Sequence, residues 1–386
     1  MKRECKIQSN NDVAYMSPHT FLWGIKVDND TYSTLFKLLI QNRIVYTDDY
    51  YTKYTTYDYY SLGISRIEFM DYQHQYYQHL YYICFLINPR ILTGESTRLY
   101  TRVVEKTQLK TLPDTVASTL SKLCGFIEDM VTTGKYRRID YCCNLWFNSQ
   151  ETAEIYLYLL KQAKIPKAFE LKKYFNLKQK RKTTEPYAIT IACKSYELSI
   201  YLKYPQLRAK YDSGDLNDPD ELANACGQLR IELRERRPKL LADKKKYSLS
   251  EPELLNGSNP RPIETLCRIF NTMYGSGDFL LYEDTKEKIL NSNYHVKVKK
   301  RMLNILETVK KGRGLDPEKN RLDLDIITKT MPYFNKLDIS PITISQKKYE
   351  YCGIETFPNP LKYITGKTLS LLDDTDVLET TSYNEK

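Results

Sequence analysis

The chain has 386 residues, room for two or three domains at about 100–200 residues each, with 58 Lys+Arg against 48 Asp+Glu and a formal net charge of +10. That modest excess suits a polyanionic partner without demanding one. The amino-terminal MKRECKIQSNND has no apolar signal region, and the longest strongly apolar run, Leu80 to Ile87, falls far short of the roughly 20 residues that span a bilayer, so a membrane role is excluded and a cytoplasmic one expected.

In chain order, strand-like runs rich in β-branched and aromatic residues occupy Thr20–Val27, Leu80–Ile87, Arg137–Phe147, Tyr187–Ala192, Tyr196–Lys203 and Gln228–Arg234. Helical spacing lies between them. Over Thr115–Val131 it puts Val116, Leu120, Leu123, Ile127 and Val131 on one face, and Ser149 is a suitable N-cap for a helix through Lys161. The tyrosine-dense stretch 46–61 reads as a mobile insertion, with a DNA-contacting loop as its alternative. This order predicts an α+β fold, an antiparallel sheet covered by helices, over residues 1–247.

Residues 248–264 (SLSEPELLNGSNPRPIE) carry the Ser, Pro, Asn and Gly of a linker. Helical periodicity then dominates at Ile263–Met273, His295–Lys311 and Leu322–Leu337, predicting a smaller helical domain over 265–345. Residues 346–386 read as a mostly irregular tail, acidic and polar from Leu371 onward.

Nine Cys at irregular spacing, with no CxxC, fit reduced and mostly buried thiols better than a zinc site or disulfide framework. The 34 Tyr follow either from AT-rich codons or from a need to stack on unpaired bases, so no tyrosine counts without its context.

Three strands supply that context. In QLRIELRER, Leu229, Ile231 and Leu233 oppose Arg230, Glu232 and Arg234. In YELSIYLKY, Leu198, Ile200 and Leu202 oppose Glu197, Ser199, Tyr201 and Lys203. In RRIDYCCNLWF, Ile139, Tyr141, Cys143 and Leu145 oppose Arg138, Asp140, Cys142 and Asn144. Such alternation describes any antiparallel sheet with one face in water. It also describes a groove that collects carboxylates, a tyrosine, a lysine and arginines. That inventory suits metal-assisted phosphoryl transfer: carboxylates hold a hard cation, the cation polarises a phosphate oxygen, and a hydroxyl attacks in line. The phenol has an ordinary pKa of about 10, and Lys203 on the same strand face would stabilise its phenolate.

The blocks RIDYCCN (138–144), SIYLKYPQL (199–207) and GQLRIELRERRPKL (227–240) resemble, in order and approximate spacing, the replication initiators of filamentous bacteriophages, the gene II and gene X proteins. INPRILTGES (87–96) resembles a fourth block, and LDISPITI (337–344) fits the family's small helical domain. The resemblance implies a rolling-circle endonuclease that nicks one origin strand, stays joined to its 5′ end through tyrosine, and later rejoins the displaced strand.

It implies Tyr201 as nucleophile, from the match at Tyr201-Leu202-Lys203, with Lys203 beside it. Glu232 and Asp140 correspond to acidic positions of the family. Their role as ligands of a divalent metal, Mg2+ or Mn2+, is inferred from chemistry. Arg138, Arg230 and Arg234 would bind the DNA backbone. The expected partners are origin DNA and a host helicase and polymerase, since no Walker loop is present.

The chain departs from the family at the wholly apolar LYYICFLI, where a carboxylate is expected; Glu68 is a possible substitute. His19, His74, His79 and His295 lack ligand spacing and read as surface residues. Tyr196 falls on the opposite strand face from Tyr201. A non-catalytic DNA-binding regulator, a plasmid relaxase and an interaction protein with merely solvated polar faces are the alternatives.

Overall fold

The computed structural model describes residues 7–9, 16–40, 42–47, 51–72, 79–94, 100–105, 107–125, 133–176, 181–255, 261–312, 314–316 and 322–364. Within them the chain is α+β, and its carboxy-terminal region is mostly helical. The strands are β1 Ile7–Ser9, β2 Ser17–Val27, β3 Ile44–Thr47, β4 Tyr51–Thr56, β5 Ile64–Tyr72, β6 Leu80–Ile87, β7 Lys135–Phe147 and β8 Glu170–Leu171. They continue with β9 Tyr174–Asn176, β10 Arg181–Thr183, β11 Ala188–Ala192, β12 Tyr196–Leu202 and β13 Gln228–Arg236. All but β9 and β10, which pair with each other, join one sheet of order β3-β4-β5-β6-β2-β7-β13-β12-β11-β8, with β1 on β7.

Strand period 2 sorts the side chains of this sheet onto two faces. Leu198, Ile200, Leu202, Leu229, Ile231, Leu233, Ile139, Tyr141 and Leu145 are buried in the main core. Helices Gln150–Leu160 and Arg237–Tyr247 pack against these central strands. Each such aliphatic side chain contributes about 1.5–3 kcal/mol on burial. Ser149 caps the first of the two helices, its Oγ accepting from the Thr152 N–H at 3.1 Å, as the sequence predicts.

The helix read over Thr115–Val131 runs from Leu112 to Cys124 and stops where Gly125 turns left-handed (φ 68°). Ile127 and Val131 lie outside the described residues. The tyrosine-dense stretch is largely regular structure: β3 reaches Thr47, β4 begins at Tyr51, and a 3-10 turn covers Tyr60–Leu62.

The described part of the stretch read as a linker, residues 248–255 and 261–264, is packed. The Glu251 carboxylate accepts hydrogen bonds from the Tyr136 N–H (2.6 Å), Arg237 (2.8 Å) and Lys244 (2.6 Å), and Leu254 and Leu255 are buried. Farther on, helices Arg261–Tyr274, Tyr282–Leu290, Val296–Gly312 and Leu324–Lys336 form the carboxy-terminal region. Residues 346–364, read as irregular, hold helix Gln346–Cys352, strand Thr356–Phe357 paired with Phe279–Leu280, and helix Pro360–Ile364. Phe357 and Leu361 are fully buried there, which anchors the segment. The acidic end from Leu371 lies outside the described residues. Among those described, no helix is long and apolar enough to cross a membrane.

Candidate active site

The polar face of β12, β13, β7 and β2 is organised by register. Tyr201 pairs with Arg230 and Arg230 with Asn144. Ser199 pairs with Glu232, Glu232 with Cys142, and Cys142 with Ser17. Glu197 pairs with Arg234, Arg234 with Asp140, and Asp140 with Thr20. One diagonal step across the sheet lets the Tyr201 hydroxyl donate a hydrogen bond to Glu232 Oε1. Burial, then the neighbouring Glu232 charge, pushes the phenol well above its ordinary value, so it rests protonated. The downward pull that opposes them comes from Arg230, and it is outweighed.

Lys203 reaches this centre differently from the sequence reading. β12 ends at Leu202, and Lys203 opens the helix Lys203–Asp212, whose first turn tolerates Pro205. Its side chain is nevertheless buried, with Nζ 5.3 Å from the centre of the Tyr201 ring and 2.9 Å from Gln206 Oε1. Burial and the Arg230 charge hold this amine well below the usual lysine range.

Arg230, expected on the DNA backbone, has a side chain 0% exposed. Its Nε donates to Asn144 Oδ1 at 2.7 Å and its Nη2 to the Tyr100 carbonyl at 2.8 Å, fastening the segment at residues 100–102 over the sheet. Nη1 lies 4.0 Å from Glu232 Oε1. Its role is thus a fixed positive charge beneath the tyrosine–glutamate pair. Arg90, from the INPRIL block, is equally buried and donates to the Arg102 carbonyl at 3.0 Å.

His19 is the residue that sequence reasoning misplaced. A bulge between Pro18 and Thr20 turns it inward, with Nε2 3.6 Å from Glu232 Oε1 and 3.5 Å from Arg230 Nη1. Burial, then Arg230, keeps its imidazole well below the ordinary histidine range, hence neutral at pH 7. Its Nδ1 is buried without a hydrogen-bond partner. Pro18, two residues before the strand-like run read from Thr20 and inside the strand observed, was the available sign of a bulge. His79, in contrast, lies exposed beside Asp71, and His74 lies outside the described residues.

Asp140 shares the face with Glu232 but not its surroundings. Oδ1 is 3.0 Å from both Arg138 Nε and Arg234 Nε, and Oδ2 accepts from the Thr20 hydroxyl at 2.8 Å. Arg234 also meets Glu197 at 3.0 Å. Glu68 lies on β5, three strands from Asp140 and four from Glu232, paired with Arg66 at 2.9 Å. Among the described residues, no three His, Cys, Asp or Glu converge to hold a metal ion. Mg2+ commonly binds one or two carboxylates together with substrate phosphates. Glu232, whose side chain keeps 15% of its exposure, fits a cation that arrives with a phosphodiester better than one caged by protein. Cys142, beside it, is pushed up by burial to about 11 and is no nucleophile.

No family model matches the sequence, and no curated protein matches it. Among solved structures, the rolling circle replication initiator protein from Geobacillus stearothermophilus is similar over 69% of this chain and 85% of its own, with a TM-score of 0.28 and 8% sequence identity.

Proposed function

We propose that the chain initiates DNA replication by nicking one strand of origin DNA, with Tyr201 as nucleophile and residues 1–247 as the nicking part. The observation that carries this reading is the Tyr201 hydroxyl hydrogen-bonded to Glu232, with Lys203 and Arg230 beside the pair. A phenol that rests protonated needs a base at the moment of attack, and Glu232 is in contact to take the proton.

Tyr201 Oη attacks the scissile phosphorus as its proton passes to Glu232. The bond to the 3′ oxygen breaks, and that oxygen takes a proton from solvent. A 5′-phosphotyrosine and a free 3′ hydroxyl result, and the reverse attack reseals the strand. Arg230 stabilises charge on the phosphoryl oxygens, and Lys203 donates hydrogen bonds to them. Arg138 and Arg234, both partly exposed, turn from Asp140 to the flanking phosphates. A divalent cation held by Glu232 and the phosphate would polarise a phosphoryl oxygen.

The test uses supercoiled DNA of the replicon that encodes the chain, with Mg2+. The expected products are nicked circles carrying the protein, with the nucleotide mapped to Tyr201 by peptide analysis. Tyr201→Phe should bind the DNA and leave it uncut. Cutting by Tyr201→Phe at the wild-type rate, or attachment at another residue, overturns the assignment. Binding without cutting by the wild-type chain would favour the regulator.

A further inference from the structure

The polar face does not end at the candidate site. It continues across β2, β6, β5, β4 and β3; helix Asn29–Leu39 lies on the opposite side, with Phe36 against Phe69, and helix Pro89–Leu92 packs on β2. Along this face the register sets one aromatic ring per strand, Tyr51 directly opposite Tyr72, with Tyr82 and Tyr46 each one diagonal step away. Tyr82 of β6 lies 5.7 Å from Tyr72 of β5, Tyr72 lies 5.3 Å from Tyr51 of β4, and Tyr51 lies 5.9 Å from Tyr46 of β3, ring centre to ring centre. One step is a direct cross-strand pair and two are diagonal ones, both within reach of aromatic side chains, so the row follows from the register.

Positive charge marks both ends. The Lys53 ammonium stands 5.9 Å from the Tyr46 ring centre and 3.8 Å from Glu68 Oε1, and the Arg137 guanidinium stands 4.4 Å from the Tyr82 ring centre. Arg137 belongs to β7 and reaches β6 across β2 because two local features allow it. A register shift between Leu22 and Trp23 leaves Arg137 out of the β2–β7 pairing. Gly24 then leaves the space through which its side chain passes: a Cβ there would stand 3.2 Å from Arg137 Cγ and 2.7 Å from Cys84 Sγ. Among the described residues Arg137 makes no ion pair with a carboxylate, and its Nε is buried without a hydrogen-bond partner. The next residue, Arg138, pairs with Asp140 at the edge of the candidate site.

Partly exposed rings in a row, interleaved with cations, match a chain of unpaired bases on a phosphate backbone. A duplex hides its base faces and does not match. The rings stand too close together to admit a base between neighbours, so bases would lie on the outward side of the row. From Arg137 to Cys142 is five residues of β7, about 17 Å, a span of a few nucleotides.

We propose that Tyr46, Tyr51, Tyr72, Tyr82, Lys53 and Arg137 form a binding track for single-stranded DNA that leads to Tyr201. The binding stands by itself, and only the identity of the bound strand, origin DNA on its way to or from the nick, rests on the proposed function.

The test is fluorescence anisotropy with labelled dT20, single-stranded and annealed to dA20, on the full-length chain. Tyr46→Leu and Tyr72→Leu should each weaken dT20 binding by roughly five- to tenfold, a stacking-sized loss. Tyr46→Phe and Tyr72→Phe should bind as the wild type does, and duplex affinity should not follow the Leu series. Arg137→Gln should weaken dT20 binding and lower its salt slope by about 1. Tyr46 is 52% exposed, so Tyr46→Leu carries the test if Tyr72→Leu loses its fold by circular dichroism. Wild-type affinity in Tyr46→Leu, an equal loss on duplex, or no dT20 binding by the wild type overturns the track. The track falls without the nickase if Tyr46→Leu binds normally while Tyr201→Phe fails to cut. The nickase falls without the track if Tyr201→Phe cuts and Tyr46→Leu still loses dT20.

Discussion

Two charged clusters stand back to back on β7 and β13, and they differ in how completely their charges are matched. On the aliphatic side, Arg261 meets Glu235, Asp243 and the Tyr141 hydroxyl, and all four residues are 2% exposed or less. On the polar side, Glu232, His19, Arg138 and Arg234 retain part of their exposure, and cations outnumber carboxylates around Tyr201. Glu235 and Arg234 are neighbours in the chain, so strand parity alone assigns one to each cluster. A closed cluster holds the helix Arg261–Tyr274 to the sheet. An open one with surplus positive charge has something left to bind, and a phosphate is the natural complement.

The largest separation of the two should come from Glu232→Gln. It keeps the size of the side chain and removes the proton acceptor, so attachment to origin DNA in a single turnover should slow by about 10²–10⁴-fold. Its melting temperature should stay near that of the wild type. An unchanged attachment rate would remove Glu232 from the chemistry.

Arg261→Met makes the converse cut. It leaves Glu235 and Asp243 buried without their partner and should cost about 3–5 kcal/mol in urea unfolding, with the cutting rate per folded molecule retained. A loss under about 1 kcal/mol would mean that the cluster is not what closes this side of the sheet.

A smaller effect on the same side is expected from Glu251→Gln, about 1–3 kcal/mol through its three hydrogen bonds. Burial by itself would raise the Glu251 carboxyl, but the hydrogen bonds from Lys244 and the Tyr136 N–H, with Arg237, bring it below the usual glutamate value. A depressed carboxylate contributes stability that is complete above its unfolded value, about 4.3, and is lost as pH falls through the folded one. Thermal melts at pH 6, 4 and 3 should therefore drop more steeply for the wild type than for Glu251→Gln. Parallel curves would count against the assignment.

The smallest change belongs to the open side. Arg234→Gln should lower the salt slope of origin binding by about 1 and weaken binding uniformly across sequences. An unchanged slope would show that Arg234 stays with Asp140 and Glu197 when DNA binds.

The alternation of β7, β12 and β13 was legible because period 2 follows from backbone geometry, and the aliphatic residues it named all lie in the main core. Helix Gln150–Leu160 was legible because its cap is local. His19 was not, because spacing along the chain carries no sign of partners on other strands, and a bulge beside Pro18 turns it toward Glu232 and Arg230. Lys203 was assigned to the strand by alternation, whereas the chain turns into a helix there. The burial of Arg230 was beyond sequence reading, since the carbonyl at Tyr100 that binds it lies 130 positions away. The packing of residues 248–255 was hidden for a similar reason: Ser, Pro and Asn mark a turn whether it is free or pinned by Glu251.

By itself the sequence determined the α+β class, the strands that make the polar face, and which residues share it, because periodicity and local hydrogen bonding act over a few residues. Only the tertiary structure decided which polar groups meet. Glu232 contacts Tyr201 while Asp140 is taken by Arg138 and Arg234, and four tyrosines from β3 to β6 fall into one row. Those outcomes depend on strand order and register, which are set by contacts between segments far apart in the chain.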